Sequence, residues 1–423
     1  MAATLKLNLF LHYHAFNAYS LNVLGGAADM AREAGAFLPA ELEIHAVDGP
    51  SALMKRLAEA GASGERSVVA WSFYTAEAPR AFSQLAAVKG AAGHASILHL
   101  AGGVHASAEY EAVLKAGFDA AAVGEGEETL VRLLGAMARG EEIRALPGLA
   151  FLEGGTVRSN GPGARQSLDR WPPFFDRLRK FNPIEITRGC IYACRFCQTP
   201  FLFKARFRHR SVENVAHWVR RMRELRLPSV RFTTPTSFSY GSDDENVRLD
   251  RIEALLHAVR EAMGKEGKIF FGTFPSEVRP EHVSREALAV LKRYVDNDNL
   301  ILGGQSGSQR VLDAANRGHS VEAIESAAEL CLESGFLPNV DFIFGLPGET
   351  EDDMEASLAL AERLARRGAR IHGHTFMPLP GTPLRAAPRG ALAERALARL
   401  HRLESQGRLY GQWRRQAGLP TPR

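Results

Sequence analysis

Along residues 1–140, short runs rich in apolar and β-branched side chains alternate with stretches whose apolar positions recur at helical spacing. That is the pattern of βαβ units around a parallel sheet. Leu5, Leu7 and Leu9 alternate with polar neighbours as in a first strand. Strands are predicted at 5–11, 42–47, 67–73, 96–101 and 119–123, with helices between them such as 51–60 and 108–116, the latter ended by Gly117 as a C-terminal cap. Five strands suffice for a doubly wound, Rossmann-like domain. Its ligands would sit beyond the carboxyl ends of the strands, in loops starting near His12, Ser72, Gly102 and Gly124.

Residues 147–158 read as a hairpin turning at Gly154 and Gly155. A stretch with Gly161, Pro162, Gly163, Pro172 and Pro173 follows, as a linker does. From residue 184 the alternation resumes, with strands predicted at 184–187, 229–233, 268–273, 300–304, 339–344 and 370–376. Helical patterns at 211–225, 247–263, 321–334 and 352–366 separate them, so this part reads as a partial (β/α)6 barrel. Residues 392–416 form an amphipathic, rather basic helical pattern that suits a solvated helix packed on the barrel. The expected organisation is a Rossmann-like domain over 1–145, a hairpin and linker over 146–183, a barrel over 184–384 and a helical tail over 385–423.

Composition narrows the function classes. The chain has 423 residues, 45% hydrophobic and 24% charged, with a formal net charge of +4. Charges are interspersed, so no polyelectrolyte tail points to nucleic acid, and no run of about 18 apolar residues predicts a membrane span. The first ten residues lack the basic leader, apolar stretch and cleavage site of a signal peptide, so a cytoplasmic protein with reduced thiols is expected.

The cysteines change the picture. Of 4 in the chain, Cys190, Cys194 and Cys197 fall within one loop after the first strand of the second domain, and Cys331 sits alone in a helical pattern, as a small core residue would. Spacings of three and two intervening residues let one loop wrap three thiolates around a single metal centre. A four-iron four-sulfur cubane normally takes four thiolates; with three, one iron stays open and can bind a substrate by amino and carboxylate groups. A structural zinc site, with His209 as a distant fourth ligand, and a chance grouping of buried thiols are the competing readings.

The run CxxxCxxC with Phe196 directly before its last cysteine is the signature of the radical S-adenosylmethionine superfamily, which this chain resembles over roughly residues 184–384. The resemblance implies a 4Fe-4S cluster held by Cys190, Cys194 and Cys197, whose unique iron chelates S-adenosylmethionine and whose electron releases a 5′-deoxyadenosyl radical. It also implies an external electron donor of the flavodoxin or ferredoxin type. Loops at the carboxyl ends of later strands, where barrel active sites lie, are similar to the family's other cofactor-binding elements. They carry Ser276, Glu277 and Arg279 after the third strand and Gln305, Ser306 and Ser308 in a QSGS turn after the fourth. Gly345 and Pro347 follow in a GxPGET element after the fifth. Beside the cluster loop, Tyr192, Phe196, Phe201 and Phe203 are expected to line the cofactor pocket, and Thr233 to Ser237 to face the substrate.

Residues 100–107 (LAGGVHAS) and 119–127 (DAAAVGEGE) resemble words of the cobalamin-binding domain that precedes some radical enzymes. Ser72, Gly102, Gly103, Gly124 and Gly126 are its candidate corrin contacts. The DxHxxG motif that supplies a cobalt ligand in some such domains is absent, so His12, His14 and His105 are read as polar loop residues. Methylthiotransferases share the cysteine motif but carry three further cysteines in the N-terminal domain; none precedes Cys190 here. The implied function is a cobalamin-dependent methyltransferase acting on a small molecule at an unactivated carbon or at phosphorus, with non-methylating radical chemistry and a zinc-stabilised binding module as the alternatives.

Overall fold

The computed structural model describes residues 5–91 and 97–419. Ser96, the start of the fourth predicted strand, and the first four residues lie outside them. The chain divides into two units, Met1–Pro183 and Ile184–Arg423.

The first unit runs β1 (Lys6–Tyr13), α1 (Ala18–Glu33), β2 (Glu41–Asp48), α2 (Gly49–Ala62), β3 (Arg66–Ser72), α3 (Ala78–Ala91), β4 (Ile97–Gly102), α4 (Gly103–Ala108), α5 (Tyr110–Lys115), β5 (Ala120–Ala122), α6 (Gly126–Arg139), β6 (Leu149–Glu153) and β7 (Thr156–Ser159). The sheet order is β2-β1-β3-β4-β5-β6-β7. The first five strands are parallel, and β6 and β7 add on antiparallel. Alternation along β1 feeds two cores: Leu7, Leu9 and Leu11 pack with Leu21 of α1 and Leu130 of α6, while Phe10 packs with Leu53 of α2 and Leu85 of α3. Helices on both faces make this the doubly wound fold that the sequence predicts.

Residues 146–183 belong to this unit. The hairpin extends its sheet, Phe175 enters its core, and Asn22 Nδ2 donates to Asn182 Oδ1 at 2.7 Å. Proline and glycine here shape a segment that packs, where the sequence suggests a connector.

The second unit runs β8 (Ile184–Glu185), β9 (Thr187–Arg188), α7 (Thr199–Leu202), β10 (Arg208–His209), α8 (Val212–Glu224), β11 (Ser229–Thr233), α9 (Leu249–Met263), β12 (Lys268–Phe270), α10 (Arg285–Tyr294), β13 (Asn299–Gln305), α11 (Gln309–Ala314), α12 (Val321–Glu333), β14 (Leu337–Phe344), α13 (Glu351–Arg366), β15 (Arg370–Thr375), α14 (Glu394–Ser405), β16 (Leu409–Gly411) and α15 (Trp413–Gln416). Parallel β8, β11 and β12 form one sheet and β13 to β16 another. A parallel bridge from Val278 to Leu302 joins the stretch after β12 to β13. All six predicted barrel strands are present. The tail departs from the single helix predicted over 392–416: it breaks at Gly407 (φ 67), and Leu409–Gly411 adds parallel to β15. Three residues are too short a run to show strand periodicity. Cys331 is fully buried in α12, and burial pushes its thiol up to about 12. Among the described residues no helix is long and apolar enough to cross a membrane.

Candidate active site

The loop after β9 is held in shape by the segment that follows α11. Arg195 N donates to Ala315 O at 3.0 Å, and Asn316 Nδ2 donates to Tyr192 O at 3.1 Å and Ala193 O at 3.2 Å. Cys197 N closes a turn onto Cys194 O at 3.0 Å. So anchored, Cys190, Cys194 and Cys197 line a cavity of about 390 Å³ at the carboxyl ends of the barrel strands. All three thiols are free. Burial raises those of Cys190, to about 12, and Cys197.

A buried electrostatic frame stands behind the loop. Arg317, 3% exposed, donates from Nη1 to Cys194 Sγ at 3.4 Å and from Nη2 to Gly303 O at 2.5 Å. A Cβ on Gly303 would come 2.8 Å from Arg317 Nη2 and 2.9 Å from Glu277 Oε2. Glycine at the end of β13 is therefore what lets these two charged groups approach the backbone. Burial pushes Glu277 up to about 7, against the pull of Arg317. Arg279, 2% exposed, stacks on the Tyr192 ring at 3.6 Å and donates to Glu281 and to Arg317 O. Burial also raises the Tyr192 hydroxyl, to about 12.

The structure brings Cys190, Cys194, Phe196, Cys197, Ser276, Glu277, Arg279 and Gln305 to this one cavity, together with Tyr192, Thr234, Pro235 and Thr236. Ser306 and Ser308 do not reach it. Ser306 Oγ is bonded to Ser357 Oγ at 3.0 Å, and Ser308 caps α11 and donates to Asp353 at 2.6 Å. Gly345 and Pro347 also lie outside the lining, with Gly345 N donating to Glu349 Oε2 at 2.5 Å. Phe201 and Phe203 do not line the cavity either, and Phe201 is 37% exposed. The four-residue helix α7 turns that stretch outward. Arg317, Asp341, His372 and His374 line the cavity without having been singled out in the sequence.

The donor set fits a cluster better than zinc. Thiolates sharing one zinc ion, each about 2.3 Å from it, stand roughly 3.8 Å apart. The three cysteine sulfurs are not among the described ligand groups whose atoms all lie within 4.8 Å of one another; a cubane, which seats each thiolate on a different iron, needs the wider spacing. His209, the fourth ligand of the zinc reading, has both ring nitrogens engaged, with Thr187 Oγ1 at 2.9 Å and Ser242 O at 2.8 Å. For a polar ligand beside the cluster there is Thr236 Oγ1, buried in the cavity lining without a hydrogen-bond partner among the described residues.

Residues 184–361 match the family model described as the Radical SAM superfamily. Residues 184–361 of the second unit form a radical SAM domain. Most of the chain is also similar in fold to solved structures. One is the radical S-adenosylmethionine methyltransferase TsrM from Kitasatospora setae with cobalamin and a [4Fe-4S] cluster bound, at TM-score 0.67 and 17% identity, covering 90% of this chain and 74% of that one. Another is the cobalamin-dependent S-adenosylmethionine radical enzyme OxsB with aqua-cobalamin bound, at TM-score 0.65 and 19% identity, covering 85% and 52%. Among curated sequences, an uncharacterized methyltransferase of Pyrococcus horikoshii is 27% identical over 278 residues, covering 63% of this chain and 57% of its own length. A tRNA-2-methylthio-N(6)-dimethylallyladenosine synthase of Porphyromonas gingivalis is 33% identical over 229 residues, covering 52% and 46%. The chain thus spans about half the length of these relatives.

Ahead of the radical SAM domain, the candidate corrin contacts fall at the carboxyl edge of the first sheet. Ser72 ends β3, and Gly102 and Gly103 join β4 to α4. Gly103, Gly124 and Gly126 are each packed by the chain itself: a Cβ on Gly103 would come 3.0 Å from Ser72 Oγ, and those on Gly124 and Gly126 would meet Pro162 and Leu24. The expectation of polar loop histidines needs correction for two of the three: His12 is buried in β1 and His105 is buried in α4. Burial lowers His12 to about 3.

Proposed function

We propose that the protein is a cobalamin-dependent radical S-adenosylmethionine methyltransferase acting on a small molecule at an unactivated carbon or at phosphorus. The observation that carries this reading is the convergence of Cys190, Cys194 and Cys197 on a single cavity whose other walls are Ser276, Glu277, Arg279 and Gln305. Likeness in fold over most of the chain to two enzymes described with cobalamin supports the corrin part.

When bound, the cluster, S-adenosylmethionine and methylcobalamin would supply respectively an electron, a 5′-deoxyadenosyl radical and the methyl group. The chain's residues have the tasks of binding and shielding. Cys190, Cys194 and Cys197 would hold the cluster. Arg317, pinned between Cys194 and Gly303, places a fixed positive charge beside it. Gln305 and Thr236 offer hydrogen bonds to the cofactor's polar groups, while Phe196, Tyr192 and Pro200 give the cavity apolar walls that limit water. Gly102, Gly103 and Ser72 would meet the corrin. A flavodoxin- or ferredoxin-type protein would deliver the electron.

Methylthio transfer is the activity named for several relatives, yet no cysteine precedes Cys190 in this chain to hold a second cluster. Anaerobic reconstitution with iron and sulfide tests the proposal. The chain should then cleave S-adenosylmethionine to 5′-deoxyadenosine under a low-potential reductant and should co-elute with added hydroxocobalamin. Stoichiometric zinc uptake without cleavage would rule out the radical reading, and failure to retain the corrin would remove methylation.

A further inference from the structure

Three cavity residues that the radical reading does not use form a ligand set of their own. β14 and β15 run parallel with Asp341 opposite His372. His374 lies two residues beyond His372, so the strand's period of two returns it to the same face. One ligand atom from each of Asp341, His372 and His374 lies within 4.8 Å of the others, and all three side chains line the cavity.

We infer that Asp341, His372 and His374 bind one divalent transition-metal ion at the wall of this cavity. His372 Nδ1 stands 2.9 Å from Asp341 Oδ1. Ligand atoms 2.0–2.2 Å from one ion stand roughly 3.0 Å apart at a right angle, so this pair already has the separation of neighbouring ligands. An ordinary hydrogen bond explains that distance equally well, but it leaves unexplained the third nitrogen, brought to the same point from the same face. Two imidazoles and one carboxylate are a donor set that retains a divalent transition metal while leaving positions open.

The tail fixes how the two imidazole rings lie. The Tyr410 ring stacks on His372 with centroids 4.7 Å apart, and its hydroxyl donates to Asn339 Oδ1 at 3.2 Å. Gln416, whose Oε1 accepts from Thr375 N at 2.9 Å, sets its amide nitrogen 3.3 Å from His374 Nδ1, so Nδ1 is the accepting nitrogen of the metal-free ring and the atom an ion would take in place of that contact. Both imidazole planes are thereby set by residues whose own positions are tied to the barrel. The ion's remaining positions face the cavity and take water or an oxygen or nitrogen donor of the substrate. This site is distinct from the cluster loop, since none of its ligands is a cysteine.

Co2+ is the probe. Cluster-loaded full-length protein, dialysed anaerobically against Co2+, should retain one cobalt per chain, with its iron content unchanged. A Cys190→Ala/Cys194→Ala/Cys197→Ala chain should bind the same single cobalt with weak visible d–d bands and no intense sulfur-to-cobalt absorption. His372→Ala or His374→Ala should weaken binding in either background by about tenfold or more, at equal iron loading in the cluster-loaded one. Cobalt bound only through sulfur, or cobalt retained equally after both histidine replacements, overturns the inference. If the triple-cysteine chain does not fold by circular dichroism, the comparison in the cluster-loaded protein decides alone. Neither readout involves turnover, so failure of the metal site is separate from failure of the methyltransferase reading.

Discussion

Asp353 accepts from Ser308 Oγ at 2.6 Å, from Thr350 N at 2.9 Å and Thr350 Oγ1 at 2.6 Å, and from the Arg310 guanidinium. Arg310 first, then Ser308 and Thr350, hold its carboxyl far below the usual carboxylate range. Because the folded-state pKa is depressed, the stabilisation is complete above the unfolded value of about 3.9 and is lost as pH falls through the folded one. Asp353→Ala should therefore lower stability by about 2–3 kcal/mol at pH 7. In urea titrations the gap from wild type should narrow below about pH 4, whereas a gap independent of pH would mean that the charge is not what counts. At this scale the cysteines were legible because their spacing in sequence is itself the chemistry. His372 and His374 were visible as an i, i+2 pair in a predicted strand, but their side of the sheet, and Asp341 opposite, depend on the register with β14. Arg317 lies in a loop, where no periodicity marks its direction.

Elements were legible wherever a cap or a long apolar period marks them. The pattern at 211–225 became α8 behind the Ser211 cap, and the one at 352–366 became α13 behind the capping box of Thr350 and Asp353. Packing between elements was less visible. Within α1, Gly25 and Gly26 read as weak helix formers, yet a Cβ on Gly26 would meet the Phe174 carbonyl oxygen and come 3.0 Å from Pro172 Cγ. Helix propensity alone favours alanine there by about 1 kcal/mol. Overpacking against a backbone carbonyl costs roughly 1–3 kcal/mol, so Gly26→Ala should be net destabilising, with its urea midpoint below wild type. A higher midpoint would show that 171–175 can move away at little cost and that the glycine serves no packing role. The same contact shows what the proline-rich segment packs against: its partner helix lies roughly 150 residues away in sequence, beyond any local signal.

Over the whole molecule, the first unit closes two cores of its own. Residues 5–178 supply both cores of the first unit, and the cysteine loop contributes to neither. The proposed division of labour follows that separation, with corrin retention belonging to the first unit and radical generation to the radical SAM domain. Cys194 is 5% exposed and accepts from Arg317, so replacing it removes one cluster ligand and one neutralising partner of a buried guanidinium. Cys194→Ala should accordingly lose 5′-deoxyadenosine formation entirely under anaerobic assay. A loss of roughly 1–3 kcal/mol in stability should accompany it, from the charge left with one partner fewer. The same protein should still retain hydroxocobalamin at the wild-type stoichiometry by gel filtration and absorbance, because none of the first unit's core residues has changed. Persistent deoxyadenosine would mean that the cluster is held elsewhere. Loss of the corrin together with the radical would mean that the two activities do not divide between the units as their separate cores suggest.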